Sequence, residues 1–384
     1  MSQEPWGDIP LFREIQRILS SGHGPVNTEI AGQVAAALAT QEGDSAPDAE
    51  RGRALGDAVR DAELMLAGYT RLAVEEPAVV RLMSRAEWAR STLGAWTWLF
   101  EHLARKLTPG VAQEAGEARE RDEAPAGMEG LLAQVAPLLV GIQVGTLVGS
   151  LARDAIGRYD HPIPRQDDGR LLFVDPNVAR VAEDYGFDAA TFLRWLALAA
   201  TVRHLVVAHT PWIGRYWRSL VTEIVDAMEI DAAELQSRMT DLQSQGPAAL
   251  QERMAGDFAL PLVPTDRHQR AVARLRSFVA AFEGYARYAT GAVGEAFAGP
   301  AEQIEEGLTR HRLEGNDGAA MLQTLLGVTF ERDLENAGAT FCAAVVKLKG
   351  VAALNSMWDA ADNLPSFAEI KDPFAWMERV VDEG

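Results

Sequence analysis

Histidine spacing is the first feature that decides whether this chain could hold a catalytic metal ion. A zinc peptidase typically presents two imidazoles at positions i and i+4 of one helix, with a glutamate between them that activates water. None of the seven histidines has another histidine four residues away, and HExxH is absent. His204 and His209 are five residues apart, about 140° around a helix, so a regular helix cannot aim both at one ion. Both are more typical of structural histidines.

Other catalytic signatures are also missing from the sequence. It contains no Gly-x-Ser-x-Gly elbow, no Walker loop and no GxGxxG after a strand. The single cysteine, Cys342, lies in an apolar run and is best interpreted as a small buried side chain. One cysteine excludes an internal disulfide, and we predict a reducing, cytoplasmic location. Motifs alone therefore name no activity.

The net charge predicts which partners the protein avoids. Its 384 residues include 36 Lys and Arg against 55 Asp and Glu, a formal net charge of −19 at pH 7. Such a surface repels phosphate backbones, so we predict no nucleic-acid partner. With 48% hydrophobic and 24% charged residues, the composition is that of a globular protein with a sizeable core.

One segment is long and apolar enough to raise the question of a membrane span. Residues 130–152 carry no charge, which meets the length criterion for a transmembrane helix. Pro137 and several polar residues interrupt the segment, and no aromatic belt flanks it. We therefore predict a central helix of a folded body and no membrane span. Gly141, Gly145 and Gly149 would let a neighbouring helix approach closely.

The remaining pattern predicts a mainly α fold. Apolar residues recur at helical spacing over 11–19, 26–40, 51–73, 78–107, 189–209, 216–231 and 267–297. The apolar run at 171–174, between turn-forming residues, predicts a short β element and is the only strand signal. Residues 109–127 predict a mobile acidic loop, and residues 1–125 a possible N-terminal helical lobe.

Several blocks along the chain resemble one known family. In order, they are Gly7–Ile15, Gly24–Asn27, Gly141–Gly145, Gly157–Asp160, Leu172–Val174 with Pro176–Asn177, Pro211–Trp212, Glu283–Gly284 and Gly350–Trp376. Their order and spacing resemble the bacterial, actinobacterial-type zincin-like metallopeptidases, often described as hydrolases. The resemblance implies a single zincin-like helical domain over 1–384. It also implies, for the family, zinc held by an HExxH helix and by a third ligand from a later helix.

The resemblance places the metal motif on residues that cannot bind zinc. Counting back from Pro211–Trp212, HExxH falls on Ala199-Ala200-Thr201-Val202-Arg203. The family's Glu-Gly-His segment falls on Glu283-Gly284-Tyr285. Only Glu283 survives as a possible ligand, so we predict a degenerate site with no catalytic residue, no metal ligand set and no cofactor.

The lost ligands suggest what occupies their place. A guanidinium fork matches a carboxylate, so Arg203 is predicted to pair with Glu283. The alternative is that Arg203 extends to solvent. His204, His209 and Trp212 are predicted as possible residues of the former cleft.

Three functions compete at this stage. The first is a non-catalytic family member, a pseudoenzyme that binds a peptide or protein partner. The second is an active zinc-dependent hydrolase whose site is rebuilt from His209, Glu283 and another residue such as His268. The third, a purely structural or assembly-forming protein, rests only on the apolar helical content.

Overall fold

The structure is a computed structural model. It describes residues 24–72, 76–120, 128–166, 168–230, 262–263, 265–299, 301–314, 317–327 and 332–382. For 107–135 it describes the backbone alone, within these ranges. The predicted helix over 11–19 lies outside the described residues.

Helices dominate the described chain, as predicted. The first seven are α1 Thr28–Ala39, α2 Ala49–Thr70, α3 Arg85–Glu120, α4 Met128–Asp154, α5 Asp175–Asp184, α6 Ala189–His209 and α7 Ile213–Ala227. The next seven are α8 Asp266–Ala298, α9 Glu302–Glu314, α10 Asp317–Leu326, α11 Arg332–Lys349, α12 Val351–Asn355, α13 Phe367–Lys371 and α14 Pro373–Met377. Short 3₁₀ turns at Ser356–Trp358 and Ala361–Asn363 and a π turn at Glu378–Asp382 complete the C-terminal part.

The strand content is larger than predicted. Strand β2, Arg170–Val174, contains the predicted β element, but it pairs in parallel with β1, Val79–Met83, a segment predicted as helix. Strands β3, Glu229–Ile230, and β4, Leu262–Val263, form a second, antiparallel pair. The helix predicted over 78–107 was therefore wrong in its first turns.

A local signal marks where that helix really begins. The Ser84 hydroxyl accepts the Glu87 backbone N–H at 3.3 Å, and the Glu87 carboxylate accepts the Ser84 N–H at 2.9 Å. This reciprocal capping box starts a helix at Arg85. The β-branched pair Val79 and Val80 before it favours a strand.

The glycine row of α4 is confirmed as a close-packing face. Ideal Cβ atoms at Gly141, Gly145 and Gly149 would lie 2.5, 2.7 and 2.8 Å from atoms of α1 or of Asn27 before it. Only glycine lets the two backbones approach this closely. The helix that packs closely against the glycine face of α4 is therefore α1.

Two predictions about long segments have different outcomes. The mobile loop predicted over 109–127 was wrong up to Glu120, because α3 continues as a helix to that residue. Residues 121–127 lie outside the described part.

Two helical segments, Ala136–Asp154 and Ala189–His209, are long and apolar enough to cross a membrane. Of the most apolar window in each, 44% and 61%, respectively, is buried inside the protein.

Helices α6 and α8 form the centre against which other helices pack. Helix α8 packs against α6, α7 and α11, and α6 also packs against α2. The Asp188 carboxylate caps α6 by accepting the Thr191 N–H at 2.9 Å, and the Thr265 hydroxyl caps α8 by accepting the His268 N–H at 3.2 Å. The hydrophobic core joins residues from before and after position 125, while the division into domains stays a prediction.

Candidate functional site

Arg203 and Glu283 meet at the contact between α6 and α8, as predicted. The Arg203 Nε donates to both carboxylate oxygens of Glu283 at 3.2 and 3.0 Å, and Nη2 donates to Oε2 at 2.5 Å. The third nitrogen, Nη1, donates to the Ala199 carbonyl at 2.6 Å. The side chains are 14% and 2% exposed, respectively, so this is an enclosed ion pair and Arg203 does not extend to solvent.

Burial and charge act in opposite directions on this pair. Burial opposes the charge on Arg203, but the neighbouring Glu283 carboxylate outweighs it and raises the pKa of the guanidinium. Burial raises the pKa of Glu283, and the contact with Arg203 opposes that shift. Because each charge relieves the desolvation of the other, removing one leaves its partner buried and uncompensated.

A cavity of about 200 Å³ opens beside this pair. One side is the helix wall, which we define as Ala199, Arg203 and Glu283. A second part of the lining is the loop wall, which we define as residues 155–162, between α4 and β2. Helices α4, α9 and α10 complete the lining with Leu151, Asp154, Leu308, His311, Arg312, Ala319, Leu322 and Gln323.

The helical period explains which motif positions face the cavity. Trp195, Ala199 and Arg203 follow one another at four-residue steps and form a stripe along α6, and Ala200 lines the cavity beside them. The structure therefore brings together Ala199, Ala200, Arg203 and Glu283 among the predicted site residues. Thr201 and Val202 are buried in the core instead.

The three predicted cleft residues, His204, His209 and Trp212, are not among the residues that line this cavity. His204 is buried one residue beyond Arg203, about 100° further around α6. His209 is exposed in the last turn of the helix. Trp212 is half-buried and donates its Nε1 hydrogen to the Trp358 carbonyl at 3.0 Å, which anchors the C-terminal part of the chain.

Tyr285, at the position of the family histidine, has a structural environment. Its hydroxyl donates to the Asn355 side-chain oxygen at 2.9 Å, and its ring packs edge-on against Trp358 at 5.5 Å. Burial raises the pKa of this hydroxyl, so it stays protonated. Tyr285 holds the segment after α12 and lies outside the cavity lining.

The residues at the motif positions do not fit a zinc ion. Two side chains are methyl groups, the third is a guanidinium, and both oxygens of Glu283 already accept guanidinium N–H groups. Within the part of the chain that the structure describes, no three His, Cys, Asp or Glu side chains are grouped so that they could hold a metal. Structural zinc needs four protein ligands, and catalytic zinc usually three.

The rebuilt site that the sequence left open is also incompatible with the fold. His268 and Glu283 are 15 residues apart on one continuous helix, α8, which separates them by about 22 Å at 1.5 Å per residue. His209 lies six residues beyond Arg203, about 9 Å further along α6. These three side chains cannot share one ion.

Sequence reasoning assigned no role to two residues that the fold brings to the cavity. Asp160 belongs to a block that carried the family resemblance, and it lies on the loop wall. Trp195 lies one helical turn before Ala199, and its Nε1 atom is enclosed without a hydrogen-bond partner among the described residues. Helical periodicity around Ala199 could have indicated Trp195, whereas only the tertiary fold brings Asp160 to this site.

Comparison with known proteins identifies the family. The family model described as "Zincin-like metallopeptidase" matches residues 26–377, which is most of the chain. The chain therefore belongs to the zincin-like metallopeptidase family. Among curated proteins, none matches this chain.

A solved structure shows the same fold. It is described as the crystal structure of "a putative hydrolase with a novel fold" from Chloroflexus aurantiacus. The TM-score is 0.66 at 22% sequence identity, and the match covers 94% of this chain and 100% of the other. At this identity the likeness establishes the fold alone.

Proposed function

We propose that this protein is a zincin-like family member that does not perform zinc-dependent hydrolysis and binds a peptide in the retained cavity. The observation that carries the proposal is the hydrogen-bonded pair of Arg203 and Glu283. In this pair the cation Arg203 stands at a ligand position of the aligned zinc motif, and its N–H groups occupy both carboxylate oxygens of Glu283. A guanidinium there repels a divalent cation, yet the cavity beside it remains open to a ligand.

Metal content and peptidase activity test this proposal. The full chain is equilibrated with zinc chloride, desalted and analysed for zinc, and then incubated with a mixed peptide library. We expect much less than one zinc per chain and no zinc-dependent cleavage. One tightly held zinc per chain that is lost in Glu283→Gln, together with cleavage, would contradict the proposal and restore the hydrolase alternative.

A gain-of-binding variant tests the same point in the opposite direction. The double substitution Ala199→His with Arg203→His places two imidazoles at i and i+4 on the helix wall and frees Glu283 as a third ligand. We expect this variant to retain zinc after desalting. The matched control, Arg203→His alone, offers one imidazole and should lose it. Equal retention by wild type and both variants would mean that these positions are not the metal site.

Partners and location follow from composition and extend the proposal. The net charge of −19 supports a partner other than nucleic acid. Cys342 is fully buried, and burial raises the pKa of its thiol, so this side chain is protected from oxidation. We further propose that the protein is a bacterial pseudoenzyme that is cytoplasmic and has no membrane span.

A further inference from the structure

The cavity has the volume of one apolar side chain. At about 200 Å³ it exceeds an engineered apolar cavity of about 150 Å³ that is known to bind benzene. Much of its lining is apolar and comes from four different parts of the fold, including Ile156, Phe173, Leu196 and Leu322. A ligand group about as large as a leucine or phenylalanine side chain would fill it.

Most charges around the cavity are already neutralised by a partner. Each of the following pairs joins a lining residue to an opposite charge at 2.5–2.8 Å: Arg203–Glu283, Arg312–Glu335, Arg158–Asp168 and Asp154–Arg180. These ion pairs leave little unbalanced charge to select a ligand. His311 uses its Nε2 to contact the Asp154 carbonyl at 3.1 Å.

Asp160 is the exception on the loop wall. Its Oδ2 accepts the backbone N–H groups of Ile156 and Gly157 at 2.5 and 2.7 Å, which fixes the carboxylate in place. Among the described residues no Lys, Arg or His nitrogen lies within 4 Å of it and its other oxygen accepts no hydrogen bond, so Arg203 and Arg165 attract this carboxylate only from a longer distance. The adjacent His161 does not supply a charge, because burial lowers its pKa to about 4.

An anchored carboxylate beside an apolar space selects a cation that carries an apolar group. A second group narrows the ligand further: Trp195 lines the cavity, and its enclosed Nε1 hydrogen, which has no acceptor among the described residues, is assigned to a carbonyl oxygen of the ligand. An ammonium, an apolar side chain and a carbonyl together describe the first residue of a peptide. A ligand that forms a hydrogen bond with an enclosed, unpaired donor or acceptor gains binding free energy, because the desolvation cost of that group has already been met in the folded protein.

We propose that the cavity binds the free N-terminal residue of a peptide, with the ammonium on Asp160, an apolar side chain in the pocket and the first carbonyl on Trp195. This inference rests on the proposed binding function and names its ligand class. Arg203 and Glu283 then form a fixed part of the helix wall, and Asp160 on the loop wall recognises the ammonium group of the peptide.

Calorimetric titration of the full chain with Phe-Gly-Gly and with its N-acetyl form tests the ammonium contact. We expect saturable binding of the free tripeptide and about 10- to 150-fold weaker binding of the acetylated one, the range expected for hydrogen bonds to a charged group. Asp160→Asn should cause a similar loss for the free peptide. Its side-chain carbonyl can still accept both backbone N–H groups, so the loop wall is retained. Asp154→Asn, at an acid that already has Arg180 as partner, should cause a much smaller loss.

A second pair of probes tests the carbonyl contact. Trp195→Phe keeps an aromatic ring and removes the N–H, so it should weaken Phe-Gly-Gly and leave phenethylamine, which lacks a carbonyl, unchanged. Phenylalaninamide, which carries both groups, should bind like the tripeptide if the terminal residue alone is recognised. Thermal unfolding of each variant confirms that it is folded.

The possible failures of the two proposals are distinguishable. Equal binding of the acetylated peptide or preferential binding of 3-phenylpropionate would overturn the ammonium assignment. No saturable binding of any of these amines would overturn the assignment of a peptide N-terminal residue as the ligand. Stoichiometric zinc with cleavage of Phe-Gly-Gly would instead overturn the proposed function.

Discussion

The helix wall and the loop wall of the cavity differ in how their charges are balanced. On the helix wall, Arg203 and Glu283 neutralise each other and their hydrogen bonds are used internally. On the loop wall, Asp160 is held by backbone N–H groups and, among the described residues, forms no direct ion pair, although Arg203 and Arg165 attract it from a longer distance. At the aligned motif positions this chain has an internal ion pair, whereas the carboxylate on the loop wall has no cation in direct contact among the described residues.

The ion pair on the helix wall can support the shape of the cavity without a metal ion. A guanidinium fork provides planar donors that hold a carboxylate in one orientation. Arg203 therefore keeps α6 and α8 in register at the former motif, and the cavity between the two walls remains. The comparison predicts that the helix wall contributes mainly to stability and the loop wall mainly to binding.

The largest expected effect is on the helix wall. Glu283→Ala leaves the Arg203 guanidinium enclosed without its partner, so the free energy of unfolding should fall by about 3–5 kcal/mol. Urea unfolding followed by tryptophan fluorescence measures it. The matched control is Glu223→Ala, which breaks a pair with Arg274 that is 54% and 38% exposed on its two side chains. That pair should contribute about 1 kcal/mol or less.

The double substitution Arg203→Met with Glu283→Leu tests whether the instability of Glu283→Ala comes from the uncompensated charge of Arg203. Replacing both charges with apolar side chains removes the uncompensated charge, so most of the lost stability should return. If the double variant is as unstable as Glu283→Ala, or if Glu223→Ala costs as much, the pair does not hold the helix wall.

The second-largest expected effect is on stability and concerns the close contact between α8 and α11, beside Glu283. An ideal Cβ at Gly284 would lie 2.4 Å from backbone atoms of Gly338, so Gly284→Ala must push the helices apart. We expect a loss of about 1–3 kcal/mol in urea unfolding. Gly291→Ala in the same helix meets no atom within 4 Å and should instead gain about 0.5–1 kcal/mol. Stabilisation by both substitutions would contradict the close approach.

The helix wall could be predicted because part of its geometry is local and the family resemblance supplied the rest, since Arg203 and Glu283 are 80 residues apart. Ala199 and Arg203 lie on one face of α6 through the helical repeat alone, and the aligned motif indicated Glu283 as the opposite partner. The long amphipathic helices and the glycine face of α4 were predicted for the same reason, since their period and residue size are visible in the sequence.

The loop wall could not be predicted in this way because its geometry is tertiary. Asp160 lines the cavity only after the segment between α4 and β2 has packed, and nothing in its spacing shows that no described cation forms a direct ion pair with it. Strand β1 was missed because its pairing partner, β2, is about 90 residues away in the chain. His204 was predicted in the cleft from proximity in sequence, although one residue further on turns it away from the cavity.

The smallest expected effect concerns His161 on the loop wall. Burial lowers its pKa to about 4, whereas in the unfolded chain it titrates near 6.5. As the pH falls below 6.5, the unfolded chain takes up a proton at this residue and the folded chain does not, so the free energy of unfolding decreases. Between pH 7 and pH 5.5 this contribution amounts to about 1 kcal/mol.

Comparing His161→Phe with wild type by urea unfolding at both pH values isolates that contribution. The variant keeps an aromatic ring between Trp88 and Trp96, which lie 6.1 and 6.0 Å from the imidazole. We expect the loss of stability toward pH 5.5 to be about 1 kcal/mol smaller in the variant. The exposed His209→Gln variant controls for the loss of one histidine. An unchanged pH dependence in His161→Phe would mean that this imidazole is hydrated and charged at pH 5.5. Asp160 would then have a charged imidazole at the next residue, and the contrast between the two walls would disappear.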